Sequence, residues 1–210
     1  ALAAVVAILL LTIKKKFGST AILLAGVAVS SIFQAGTTLL QYYGSDTQVI
    51  SALYWTFGDL SRATLKDCLA IGSVTVISFL YFFYKRYDYT VMLGGTAIAK
   101  SLGVNVKSTT VVTLFLASLI TAVSVSSLGV IGFIGLIAPH ITRRFVGGDY
   151  RWLLPGSAVC GSSVLLLADV LGRVALKVSV LPVGAITALI GGPMFLWLLL
   201  REKKDYEIAG

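Results

Sequence analysis

Apolar residues run in blocks of about 20 along this chain, and polar residues gather between the blocks instead of alternating with apolar ones. Thr20–Leu40 and Ser108–Leu128 carry no charged residue, and Cys68–Tyr84 is nearly as long an uncharged run. A helix needs about 20 residues to cross the hydrocarbon core of a bilayer. The blocks therefore predict membrane-spanning helices at about residues 1–13, 20–40, 60–84, 108–128, 129–142, 153–172 and 181–200. The fold class is all-α: a polytopic transmembrane bundle forming one domain over residues 1–210.

Interruptions inside the blocks add detail. Ser108–Ile141 holds no Asp, Glu, Lys or Arg, and as one helix it would be about 50 Å long. That length is too great for one crossing and short for two with a turn. Gly129, Gly132 and Gly135 supply breaks, so the pattern predicts a full helix, a bend near Ser127–Gly129 and a shortened return helix ending at Pro139. Gly191, Gly192 and Pro193 interrupt the final span, and a kink is expected there because proline lacks the donor for the helical ladder. Broken helices at membrane depth are tolerated where they are buried in protein or line a cavity.

Composition agrees with this reading. Hydrophobic residues make up 57% and charged residues 12% of the 210, about half the charge of a soluble domain, and mean hydropathy is +0.94. The net charge of +8 does not predict nucleic-acid binding, because its distribution follows the loops. Thirteen of the 17 basic residues fall on one side, from Lys14–Lys16 through Lys107 and Arg144 to Lys204; only Arg62, Lys66, Arg173 and Lys177 fall on the other. The positive-inside rule makes the first side cytoplasmic, in a multi-pass protein of the cell membrane. Cys68 and Cys160 lie within spans and suggest no disulfide or metal framework. The chain starts at Ala1 inside an apolar run already under way, so it is expected to lack an N-terminal part. Ala1–Ile13 followed by three lysines has its charge at the wrong end for a signal peptide.

Between the spans, Gln41–Ile50 reads as a polar external loop and Tyr54, Trp55 and Phe57 as an interfacial aromatic belt. Asp59 is placed to cap a helix. Gln34, Thr37 and Thr38 either bond neighbouring helices or face a pore. Tyr87–Lys107 is a cytoplasmic insertion of two short helices separated near Gly94-Gly95 and ended by Gly103. It either lies on headgroups or docks a partner. Asp169 and Arg173, four apart, share a helix face and suit an ion pair, while Arg173 at the outer end could instead meet a partner. His140 reads as a packed or capping histidine.

The ordered strings GFIGLIAPHITRRFVGGDYRWLLPGSAVCGSSVLLLADVLGR and LPVGAITALIGGPMFLWLLL, with STAILLAGVAV, YWTFGDL and AKSLGVNVKS upstream, resemble the FecCD/BtuC family of ABC-importer permeases. The resemblance spans the chain and covers the C-terminal two-thirds of a member. It implies import of an iron–siderophore complex, haem or vitamin B12. It also implies a homodimer, two cytoplasmic ATP-binding subunits and an external substrate-binding protein, with no cofactor or metal in this chain. By residue, it implies a cytoplasmic gate at Ser19 and Thr20, ATPase docking by Ile98, Ala99, Lys100, Ser101, Leu102 and Gly103, and binding-protein docking by Arg173. Three positions depart from the family pattern. The acidic pair of the docking segment is replaced within Gly95-Thr96-Ala97, the glutamate before LPVG is Val180, and GSL is Gly58-Asp59-Leu60.

No GxxxxGK[ST] phosphate loop occurs, so ATP hydrolysis must come from another chain. An ion-coupled carrier using Asp169 is a second class, disfavoured by the scarcity of intramembrane acids. An intramembrane protease built on Ser162, Ser163 and His140 would need mutual reach and an oxyanion site.

Overall fold

A computed structural model of the chain describes residues 19–175 and 181–208. It contains α1 (Ser19–Tyr43), α2 (Asp46–Thr56), a 3-10 turn (Leu60–Arg62), α3 (Leu65–Tyr84), α4 (Arg86–Met92) and α5 (Thr96–Ser101). These are followed by α6 (Val106–Leu128), α7 (Ile134–Val146), α8 (Tyr150–Ala175) and α9 (Val183–Ile208). Among the described residues there is no strand. Three helices among the described residues, Leu65–Tyr84, Val106–Leu128 and Tyr150–Val174, are long and apolar enough to cross a membrane.

Many large apolar side chains face outward, and small residues are frequent among the buried positions beside Ile137, Leu153 and Val183. Leu65, Leu80, Phe145, Val159 and Leu189 are exposed, while Ala99, Ala138, Ala168, Ser78 and Thr187 are buried. Lipid is as apolar as leucine, so membrane helices gain little by hiding large side chains and associate through close backbone approach. The α7–α8 hairpin follows this rule. A Cβ on Gly156 would lie 2.6 Å from Thr142 Cγ2, and one on Gly161 would lie 3.3 Å from Ala138 Cβ. Thr142 turns its hydroxyl back to the Ala138 carbonyl at 2.8 Å, so the contact buries no unsatisfied donor.

Helices α3 and α6 pack side by side, and α9 packs on both α7 and α8. Thr64 and Asp67 form a reciprocal cap at the start of α3. The other Asp67 oxygen accepts from Ser127 Oγ at the end of α6 (2.9 Å). The cap therefore also fixes the register of the two spans. Helix α1 packs extensively against no other described helix, and its Leu24, Val27, Ile32 and Leu40 are exposed.

Several elements differ from the sequence pattern. Gln41–Ile50 is not a loop throughout: α2 begins at Asp46, where Gln48 Oε1 accepts from the Ser45 N–H (3.1 Å). Helix α7 does not end at Pro139. It starts at Ile134, passes through Pro139 and ends at Val146, where Gly147 (φ 74°) returns its N–H to the Arg143 carbonyl. A proline in the sixth helical position removes one bond, to the Gly135 carbonyl, and the later ladder continues. Gly135 likewise lies inside α7, and Gly191, Gly192 and Pro193 lie inside α9. They are therefore not breaks. The span ending near Leu200 continues as helix through the charged run to Ile208. The break after α6 is formed by Gly129 (φ 77°), Gly132 in the non-helical link, and Phe133, which has φ 66°.

Candidate functional site

The chemistry-bearing residues collect at the two ends of the bundle. At the outer end three backbone segments meet at glycines. Asp59 N–H donates to the Leu128 carbonyl (2.8 Å). A Cβ on Gly129 would lie 3.1 Å from Gly58 Cα, and one on Gly184 would lie 2.7 Å from the Val130 carbonyl oxygen. Gly58 (φ 65°) and Gly129 also hold backbone angles that a side chain resists. Trp55 Nε1 donates to the Ser126 carbonyl at 3.4 Å. Leu181 N–H donates to the Gly172 carbonyl (3.2 Å), closing the α8–α9 link.

Two acids and two arginines sit on this junction. Asp59 caps the 3-10 turn, accepting from Ser61 N–H (2.9 Å) and Ser61 Oγ (2.7 Å), with Arg62 Nε at 3.9 Å. Partial burial works against the Asp59 anion, but the Ser61 bonds and the nearby Arg62 and Arg173 charges outweigh it and lower the carboxyl pKa. Arg173 grips Asp169 with two bonds, Nε to Oδ2 at 2.8 Å and Nη2 to Oδ1 at 3.3 Å. The Asp169 side chain is 15% exposed but that of Arg173 is 49% exposed, so the pair leaves much of the guanidinium facing outward. The ion pair expected from the spacing is present, and it orients Arg173 without hiding it.

At the inner end, α4 and α5 form the two-helix insertion, divided at Gly95 (φ 104°) and followed by Gly103 (φ 82°). Of the residues expected to dock a partner, Ile98 and Leu102 are 52% and 65% exposed, and Lys100, Ser101 and Gly103 are exposed too. Ala99 is fully buried. It anchors α5 and offers no surface to a partner. The insertion is tied to the spans by contacts that periodicity could not reveal. Tyr89 Oη and Thr113 Oγ1 are 2.7 Å apart, joining α4 to α6, and the Tyr89 ring packs on Tyr150 of α8 with centroids 5.6 Å apart. Lys85 Nζ binds Asp88 at 2.8 Å at the start of α4.

Ser19 and Thr20 form the first turn of α1 by backbone, and their side chains lie outside the described residues. Val180 does so as well. Thr37 and Thr38 donate to the Phe33 and Gln34 carbonyls of their own helix at 2.9 and 3.0 Å. Ser162 and Ser163 both donate to the Val159 carbonyl at 2.9 Å, and neither bonds to His140. Among the described residues no group of three metal-ligating side chains gathers.

A sequence profile described as the FecCD transport family matches residues 1–201. A Methanocaldococcus jannaschii protein assigned as an ABC transporter permease is 49% identical over 97% of this chain and 58% of its own length. The hemin transport system permease protein of Yersinia pestis is 36% identical over 88% of this chain and 55% of its own length. A solved structure assigned to a metal-chelate type ABC transporter, inward-facing, superposes with a TM-score of 0.85 at 27% identity, covering 94% of this chain and 63% of that one. The chain thus spans about three-fifths or less of the length of these relatives.

Proposed function

The chain belongs to the FecCD transport family, and from that premise we propose that it is the membrane-spanning permease subunit of a binding-protein-dependent ABC importer. Its cargo is an iron chelate, a siderophore complex or haem, or a related metal chelate such as cobalamin. It works with a second copy of itself, two cytoplasmic ATP-binding subunits and an external substrate-binding protein. It carries no cofactor and does no catalytic chemistry.

The observation that carries this reading is the insertion α4–α5. It presents Ile98 and Leu102 outward on the side that lysine and arginine mark as cytoplasmic. It is also fastened through Tyr89 to α6 and through Tyr150 to α8. A partner that moves α5 when it binds and hydrolyses ATP would therefore move both spans as levers. At the other end Arg173, pointing outward from its Asp169 clamp, suits a carboxylate on the binding protein. An ion-coupled carrier gains no support. Among the described residues Asp67 and Asp169, the two acids within candidate spans, are both satisfied by capping or ion pairing.

The test is Leu102→Asp, at a position exposed enough that the fold should be unaffected. ATP-driven uptake of a ferric siderophore or hemin, assayed in proteoliposomes with all partner subunits, should be lost together with co-purification of the ATP-binding subunit. Full uptake by this variant, or uptake abolished by a proton uncoupler while ATP is present, would refute the proposal.

A further inference from the structure

The inner ends of α7 and α8 enclose a cavity of about 380 Å³ that the transport reading does not use. Its polar lining is His140 and Arg143 from α7, with Tyr150 and Ser157 from α8. Its apolar wall includes Leu136, Pro139 and Leu153.

The hydroxyl of Ser157 is buried and has no hydrogen-bond partner among the described residues. Arg143 has no carboxylate within 4.0 Å among the described residues, where the ion pairs are Arg62–Asp59, Lys85–Asp88 and Arg173–Asp169. Its guanidinium lies over Gly148, with Nη2 3.6 Å from where a Cβ would stand, so the glycine leaves it room. The nearest acid in sequence, Asp149, directs Oδ1 to the Arg151 N–H (2.9 Å). The cavity thus offers a permanent positive charge, and none of its described lining residues is anionic.

Depth decides what kind of anion fits. Trp152, 59% exposed, begins α8 beside the cavity, and Arg151 stacks over its ring at 5.6 Å. Aromatic and basic residues at one level of a membrane helix mark the headgroup layer. Basic pockets between spans on the cytoplasmic side suit anionic lipid headgroups. The Leu136–Pro139–Leu153 wall would accompany an acyl chain, which a free phosphate lacks. We propose that this cavity binds an anionic phospholipid of the cytoplasmic leaflet, with Arg143 donating to its phosphate and His140 and Tyr150 lining the same site. The argument does not depend on the importer reading.

Native mass spectrometry tests it on the chain in its assembled form, released from nanodiscs of phosphatidylglycerol and phosphatidylcholine in equal amounts. The chain should retain phosphatidylglycerol over phosphatidylcholine, and Arg143→Gln should weaken that retention about tenfold, the size of one charge-assisted hydrogen bond. Arg144→Gln removes the same charge outside the cavity and should retain the lipid as the parent does; Arg143→Lys should retain most of it. Equal losses from Arg143→Gln and Arg144→Gln would overturn the proposal, leaving a diffuse basic surface. So would equal retention of the two lipids, or displacement of phosphatidylglycerol by soluble glycerophosphate at similar concentration. A matched size-exclusion profile and melting temperature qualify each variant. Should Arg143→Gln fail to assemble, Leu136→Asp, which puts an anion on the same wall at an exposed position, must lower retention of phosphatidylglycerol without lowering stability.

Discussion

Phe133 occupies the space that a side chain on Gly191 would need: a Cβ built there would lie 2.6 Å from Phe133 Cγ and 3.0 Å from Ile137 Cδ1. Phe133 itself sits at φ 66°, uncommon for a bulky residue and costing about 1–2 kcal/mol. The ring is held there because it seals α7 against α9. Gly191 is thus a packing surface for the break that precedes α7.

Gly191→Ala should destabilise the α7–α9 contact by about 1–3 kcal/mol, the usual cost of overpacking. Gly192→Ala, next in the same helix with open space around it, should be neutral or stabilising. Thermal unfolding of the two variants in detergent checks the contrast, and equal melting temperatures would show that the close approach does not matter.

Gly129→Ala should be more damaging. Its φ of 77° and ψ of −169° belong to a region nearly reserved for glycine, costing about 1–3 kcal/mol for another residue. Its Cβ would also overlap the Trp55 carbonyl. A lower yield of folded protein and a lower melting temperature than for Gly192→Ala are expected.

Arg173 allows its two roles to be separated. Exchanging Asp169→Arg and Arg173→Asp together keeps the ion pair but moves the positive charge inward by one helical turn. A docking role predicts weaker, less salt-sensitive association with the substrate-binding protein, measured by surface plasmon resonance, with an unchanged melting temperature. Unchanged association would assign Arg173 to structure alone.

Asp59 sets a pH dependence. Its carboxyl is held below the ordinary value of 3.8, so the stability it contributes is present above that value and lost as pH falls through the folded pKa. The gap in melting temperature between the parent and Asp59→Asn should therefore hold from neutral pH to about pH 4 and close in stronger acid. A gap independent of pH would exclude the carboxylate as its source.

Tyr89→Phe keeps the ring contact with Tyr150 and removes the bond to Thr113, which contributes about 1 kcal/mol. The insertion should loosen from α6, seen as faster hydrogen exchange in Arg86–Met92, while exchange in Leu65–Tyr84 is unchanged.

Much of this architecture was legible in the sequence because lipid imposes a one-dimensional rule. Uncharged runs of about 20 residues must be helices, and the asymmetry of lysine and arginine orients them. The two short helices of the insertion could be read from Gly94-Gly95 and Gly103, and the Asp169–Arg173 pair from its spacing, since both rest on local geometry. What each glycine and proline does could not be read, because the same residue serves as break, positive-φ hinge or contact surface. Gly129 is a break, while Gly135, Pro139, Gly191, Gly192 and Pro193 lie within continuous helix. Ala99 looked like its neighbours on α5 and proved buried. The Phe133–Gly191 seal, the Tyr89–Thr113–Tyr150 link and the Arg143–Ser157 cavity join residues between 14 and 61 positions apart in the chain. Periodicity describes which face of a helix is apolar, and only packing decides which neighbour meets that face and how closely two backbones approach.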